Sequence, residues 1–130
     1  MKTQVIVSKK TRKVICTDFC NGKVHDFRLY KESGIRIAEE TEVQTDTGFT
    51  GINKLHKNSV MPHKKPRGGQ LTKEQKRENR AVSSERASNE HAIGFIKRFK
   101  ILSERYRNRR KRFGLRFNLI AGFCNLSLGF

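Results

Sequence analysis

Acidic residues are scarce in this chain, and that scarcity is its first informative property. Only 12 Asp and Glu stand against 29 Lys and Arg in 130 residues, which gives a net charge of +17. Because so large an excess of one sign repels itself, it indicates a polyanionic partner, and nucleic acid is the polyanion we expect. The length suffices for one domain with a modest core.

Long apolar runs and paired cysteines are also missing. No stretch approaches the roughly 18 uncharged apolar residues of a membrane span, so we expect no membrane partner. The cysteines, Cys16, Cys20 and Cys124, are odd in number, and the first residues lack the apolar segment of a secretion signal. These features predict reduced thiols in a cytosol.

Several familiar site signatures are absent. No Gly-rich loop ends in Gly-Lys-Ser or Gly-Lys-Thr, and no serine lies in a nucleophile motif, so neither a P-loop NTPase nor a serine hydrolase is supported. Cys16, Cys20 and His25 are loosely spaced, and no second pair follows at zinc-finger distance. We therefore expect buried thiols there instead of a zinc site.

The first half of the chain predicts short elements. Residues 3–8 and 13–19 are β-branched runs separated by a polar turn, which is typical of a β-hairpin. Residues 25–33 predict a short amphipathic helix that ends at Gly34, and residues 42–46 predict a short strand.

The second half is predicted to be helical. Thr72 and Gln75 have the spacing of a capping box, which opens a long helix from about residue 73 to about residue 102. Phe95, Phe99 and Leu102 would form its buried side. A further apolar helix is expected over residues 113–128.

Two acids have neighbours that suit phosphate chemistry. On a helix, Arg86 falls about 40° from Glu90 and Lys97 about 20° from it, so all three share one stripe. Asp46 ends a predicted strand and precedes a glycine turn. Spacing alone equally permits an Arg86–Glu90 ion pair and a turn-capping Asp46, and these simpler explanations stay open.

A block of basic residues with Glu104 as its sole nearby acid follows Glu90. Since a solvated surface usually mixes its charges, this block predicts a phosphate-binding surface. Its members are Lys97, Arg98, Lys100, Arg105, Arg107, Arg109, Arg110, Lys111, Arg112 and Arg116. The aromatics between them, Phe99, Tyr106, Phe113 and Phe117, are expected to pack in the core more readily than to stack on bases.

Several stretches together resemble the C-terminal part of a DDE-superfamily transposase of the bacterial insertion-sequence type. The matching text is GKVHDFRLYKES, VQTDTGFTGI and LTKEQKRENRAVSSERASNEHAIGFIKRFKILSERYRNRRKRFGLRFNLIAGFCNLSL. The resemblance implies an α/β fold: a partial ribonuclease H-like domain over residues 1–130, with a hairpin, short strands and a long C-terminal helical region. It also implies three acids that hold two divalent metals, Mg²⁺ or Mn²⁺, for DNA strand cleavage and transfer.

The resemblance assigns roles to individual residues. Asp46 matches the second catalytic and metal-binding acid, and Glu90 matches the third. Arg86 and Lys97 match the cations of the Arg-x3-Glu-x6-Lys pattern, which would contact DNA phosphates. Ser83 and Phe49 stand where the family usually or often has Tyr.

The family's first acid has no match here. Its strand would precede Met1, so we expect a truncated transposase that binds metal weakly and cleaves DNA negligibly alone. Asp18 and Asp26 are predicted to be structural, with Asp26 near a helix start. The missing strand would also leave the hairpin edge unpaired and the fold marginal.

The expected partners are DNA, both transposon ends and target, together with a full-length transposase or a second copy. Two alternatives stay open. One is a basic RNA-binding protein of ribosomal type, and the other is a regulatory fragment that inhibits an intact transposase.

Overall fold

The computed structural model describes residues 1–99 and 112–128, apart from the side chain of Ser88. The strands are Lys2–Val7 (β1), Val14–Cys20 (β2), Val43–Gln44 (β3) and Ser59–Val60 (β4). The α-helices are Asp26–Glu32 (α1), Lys73–Lys97 (α2) and Phe113–Ser127 (α3), and Thr47–Phe49 and Ile52–Lys54 are short 3₁₀ helices. The mixed α/β class is as predicted.

The chain divides into two compact units. The first contains Met1–Gly22 and Ala87–Phe130, and the second contains Lys23–Arg86. Each is built around its own small sheet.

The first unit begins with the predicted hairpin. β1 and β2 pair antiparallel from Lys2 opposite Cys20 to Val7 opposite Val14. The connecting turn closes where the N–H of Arg12 donates to the carbonyl of Ser8 at 2.7 Å. The β-branched residues of both strands thus form the element that their pattern favours.

The core of the first unit lies between the hairpin and α3. Phe113, Phe117, Ala121 and Cys124 recur at helical spacing, and each is buried together with Ile96 of α2. The ring of Phe19 on β2 meets Phe113 and Phe117 edge to face, at centroid distances of 5.8 and 5.4 Å. The prediction that these two helix aromatics pack in the core is confirmed.

Close contact between α3 and β2 depends on two special residues. A Cβ on Gly114 would lie 3.2 Å from the ring of Phe19, so any other residue would require that ring to shift by a few tenths of an ångström. Asn125 accepts a hydrogen bond from the N–H of Val14 at 2.8 Å and donates one to its carbonyl at 2.9 Å. The amide therefore pairs both backbone groups of Val14.

The second unit contains a parallel pair, in which Val43 lies opposite Ser59. Between the two strands, the buried side chain of His56 donates from Nε2 to the carbonyl of Thr41 at 2.6 Å. The strand predicted over 42–46 is present as β3, but it is shorter than predicted and ends at Gln44. Its partner β4 was not predicted, because two residues have no periodicity to detect.

The capping box at the start of α2 is confirmed. The N–H of Thr72 donates to the side chain of Gln75 at 3.1 Å, and the N–H of Gln75 donates to the hydroxyl of Thr72 at 3.2 Å. Two N–H groups that the first helical turn leaves unpaired are thereby satisfied.

The prediction that Phe95 and Phe99 lie on the buried side of α2 is wrong. Phe95 is 39% exposed and Phe99 is 42% exposed, whereas Ile96 is 1% exposed. The helix ends at Lys97, so Phe99 lies beyond the last turn and does not share a stripe with Phe95. Leu102 lies outside the described residues.

Candidate functional site

Asp46 is held in a fixed conformation at the end of β3. The preceding residue, Thr45, donates its N–H to the carbonyl of Val60 at 3.0 Å, which extends the pairing to the edge of the site. Asp46 itself is exposed and extended, and its Oδ1 accepts a 2.8 Å hydrogen bond from the N–H of Gly48. The turn-capping role is thus real, and it occupies one of the two carboxylate oxygens.

A second carboxylate lies beside the same glycine. A Cβ on Gly48 would be 3.0 Å from Oδ1 of Asp46 and 3.2 Å from Oδ2 of Asp26. Asp26 is the first residue of α1, as predicted. Its position next to Asp46 was not predicted, because residues distant in sequence give no local signal of their contact.

The other predicted site residues lie on α2. Glu90 and Lys97 are exposed, and Arg86 is half-buried. Arg86 and Glu90 each have an interaction within the chain. Asp46 and Arg86 belong to the second unit and Glu90 and Lys97 to the first, so the meeting of the two acids stays a prediction.

The described residues do not complete a metal centre by themselves. Residues 1–99 and 112–128 contain no group of three or more His, Cys, Asp or Glu that could hold a metal ion. A hard divalent cation such as Mg²⁺ takes about six oxygen ligands. The carboxylates of Asp46 and Glu90 have the donor chemistry that such an ion takes, and their sharing of one ion stays a prediction.

The basic block is described in part. Lys97, Arg98 and Arg112 are exposed, and Arg116 is half-buried. The guanidinium of Arg98 lies 5.2 Å from the centroid of the Phe95 ring. The predicted phosphate-binding residues that fall outside the described residues are Lys100, Arg105, Arg107, Arg109, Arg110 and Lys111.

Two other titratable groups are poor candidates for chemistry. Burial raises the pKa of the Cys124 thiol and the pKa of the Tyr30 hydroxyl. Both groups are therefore protonated near neutral pH, because desolvation disfavours their anions. Neither supplies a nucleophile or a base to the acids on β3 and α2.

The chain thus combines the anchored carboxylate of Asp46, a second acid on α2 and a net charge of +17. Comparison with known families identifies the class of protein. The sequence profile of the DDE superfamily endonucleases matches residues 1–125, and the chain belongs to this family. The family generally uses divalent metals.

A curated relative supports the same assignment. The chain is similar to the "Probable transposase for insertion sequence element IS702" of Microchaete diplosiphon, with 48% identity over 128 residues. The match covers 98% of this chain but 46% of the relative, so the chain spans about half the length of that protein. No solved structure matches the chain. None of the helices in the described ranges is long and apolar enough to cross a membrane.

Proposed function

We propose that this chain is part of a transposase, acting on DNA at transposon ends and target in the prokaryotic cytoplasm. Asp46 and Glu90 are two of the acids that ligate a catalytic divalent metal within a ribonuclease H-like domain. The observation that carries this proposal is the fixed carboxylate of Asp46, exposed at the end of β3 and held by Gly48.

Asp46 and Glu90 would hold a Mg²⁺ or Mn²⁺ ion, which would supply activation of the attacking oxygen and stabilisation of the leaving one during strand cleavage. Asp46 presents its remaining carboxylate oxygen to solvent, and Glu90 presents an exposed carboxylate from α2. With Asp46 and Glu90 matching two of the family's three acids, this chain is expected to bind metal weakly and to cleave DNA negligibly by itself.

The cations bind the DNA backbone. Arg86, Lys97 and Arg98 on and just after α2 contact phosphates, together with Arg112 and the block before it. The net charge of +17 supports this role, since phosphate neutralisation dominates nonspecific binding to nucleic acid.

Salt-dependent affinity tests the DNA-binding proposal. Fluorescence anisotropy at several salt concentrations compares duplex DNA with a structured RNA of equal length. Each of Arg86→Gln and Lys97→Gln is expected to reduce the slope of log affinity against log salt for DNA by about 0.9. Lys54→Gln, an exposed lysine of the second unit, is the matched control and leaves the slope unchanged. Tighter binding of RNA at every salt concentration would favour the ribosomal-type alternative.

A second candidate, pairing with an intact transposase or a second copy, is favoured by Gln4 on β1. This side chain is 9% exposed, and neither amide atom has a hydrogen-bond partner within the described residues. An added segment beside β1 would satisfy the amide, whose burial without partners is unfavourable. Gln4→Leu should stabilise the isolated chain and reduce its co-purification with a full-length relative, whereas Gln70→Leu, at an exposed position, should leave co-purification unchanged.

A further inference from the structure

A cavity of about 220 Å³ lies within the first unit. It is formed by the hairpin turn and by the C-terminal ends of α2 and α3. Its apolar wall consists of Val14, Ile96, Cys124 and Leu128. This wall is continuous with the core, since Ile96 is 1% exposed and Cys124 is 4% exposed.

Phe95 gives the cavity an accessible aromatic surface. Its ring lines the cavity while remaining 39% exposed, although the next residue, Ile96, is among the most buried in the described part of the chain. Arg98 also lines the cavity and lies over this ring at 5.2 Å. An aromatic ring paired with a guanidinium is a combination on which nucleobases stack.

Arg12, in the hairpin turn, is a second arginine that lines the cavity. Its backbone has φ 60°, the one positive φ of a non-glycine residue within the described ranges. That conformation is unfavourable for a residue with a Cβ, and it persists here because the N–H of Arg12 is bonded to Ser8. The turn therefore holds the arginine at the cavity at a cost in free energy.

The polar groups of the cavity select for an anion. Arg12, Arg98 and His91 line it, and no Asp or Glu is among the described lining residues. Asn125 lines it too, but its amide is already bonded to the backbone of Val14. A ligand thus meets the guanidinium groups of two arginines beside apolar and aromatic side chains.

We infer that this cavity binds an unpaired DNA nucleotide, with the base against Phe95 and the flanking phosphates on Arg12 and Arg98. The inference rests on the proposed DNA-binding function and adds a strand-end or single-strand preference to it. A volume of about 220 Å³ is smaller than the roughly 300 to 1,000 Å³ of pockets for drug-sized ligands, and therefore suits a single base. A paired base is unavailable until it leaves the duplex stack.

The test compares two DNA hairpins by fluorescence anisotropy, one blunt and one with a short unpaired overhang. The wild-type chain is expected to bind the overhang hairpin about 5- to 100-fold more tightly, the range of one base–aromatic stacking contact. Phe95→Leu should abolish this preference and leave the blunt affinity unchanged, and Phe95→Trp should preserve or increase it. Phe123→Leu, at a 65% exposed aromatic outside the cavity lining, is the matched control and should retain the preference.

Charge substitutions examine the phosphate contacts. Arg12→Gln should weaken binding of the overhang hairpin more than that of the blunt hairpin. Lys10→Gln, an exposed lysine in the same turn, should affect both equally. Equal wild-type affinity for the two hairpins, or a preference that survives Phe95→Leu, would overturn the inference and leave the DNA-binding proposal intact.

Two further outcomes separate the proposals. Failure to bind either hairpin would contradict both. If an acidic peptide rich in aromatics binds with dependence on Phe95 while the overhang gives no advantage, the cavity is a peptide site and the inference is wrong.

Discussion

Gly48 donates its N–H to Oδ1 of Asp46 at 2.8 Å, and a methyl group on the same glycine would lie 3.0 Å from that oxygen. The N–H of Gly48 thus orients the carboxylate of Asp46, and the absence of a side chain on Gly48 leaves room for that carboxylate. The motif Thr45-Asp46-Thr47-Gly48 therefore has a structural reason for its glycine that is independent of any bound metal.

This relationship predicts opposite effects for two glycine-to-alanine substitutions. Gly48→Ala should lower the free energy of unfolding by about 1 to 3 kcal/mol, because the new methyl crowds the carboxylates of Asp46 and Asp26. Gly94→Ala should raise it by up to about 1 kcal/mol, because Gly94 lies inside α2 and, apart from the neighbouring helix backbone, no atom of the described residues comes within 4 Å of the new methyl. Urea denaturation followed by circular dichroism measures both. A Gly48→Ala protein as stable as wild type would show that the turn relaxes freely.

The Asn125 amide predicts a difference between two asparagines on α3. Asn125→Ala should destabilise the chain by about 1 to 3 kcal/mol, because it leaves the N–H and carbonyl of Val14 unpaired in a partly buried position. Asn118→Ala removes an exposed bond to the hydroxyl of Thr17 and should cost less than about 1 kcal/mol. Denaturant midpoints of the two variants measure this difference, and equal losses of stability would contradict the prediction.

The buried thiol predicts a pH dependence of stability. Burial raises the pKa of Cys124 above its ordinary value of 9.0, so the folded chain keeps this proton to higher pH than the unfolded chain. The associated stability is complete below that value and falls as pH rises through it. Burial also raises the pKa of Tyr30 above its ordinary value of 10.0, so stability should fall further as pH rises above that value.

Cys124→Ala isolates the thiol contribution. The free energy of unfolding of this variant should decline less steeply than that of wild type between neutral pH and about pH 10. Cys16→Ala, which removes a half-buried thiol on β2, is the matched substitution. If the free energy of unfolding of Cys124→Ala declined with pH as steeply as that of wild type, another group would be the cause of the loss of stability at alkaline pH.

Local signals in the sequence predicted the local structure well. The hairpin, α1 and the Thr72–Gln75 capping box depend on residues close in sequence, and all three formed as expected. Periodicity was less informative for the C-terminal end of α2. It grouped Phe95 with Phe99, whereas packing against α3 selected Ile96 and left Phe95 open to the cavity.

Non-local features were beyond sequence reasoning. The pairing of β3 with β4 joins two-residue strands that have no detectable pattern. The placement of Asp26 beside Gly48 joins residues that are distant in sequence, and the cavity at Arg12 requires the ends of two helices to meet a turn. For the site, the sequence located Asp46 at a strand end correctly, while its pairing with Glu90 stays a prediction.

The most direct test of that pairing is a double-mutant cycle on Mn²⁺ affinity, measured by electron paramagnetic resonance with wild type, Asp46→Asn, Glu90→Gln and the double variant. If both carboxylates ligate one ion, each single substitution should weaken binding at least about tenfold, and the double variant should lose little more than either single one. Glu74→Gln, an exposed acid in the first turn of α2, should leave the affinity unchanged. Mn²⁺ affinity in Glu90→Gln equal to that of wild type would contradict the account.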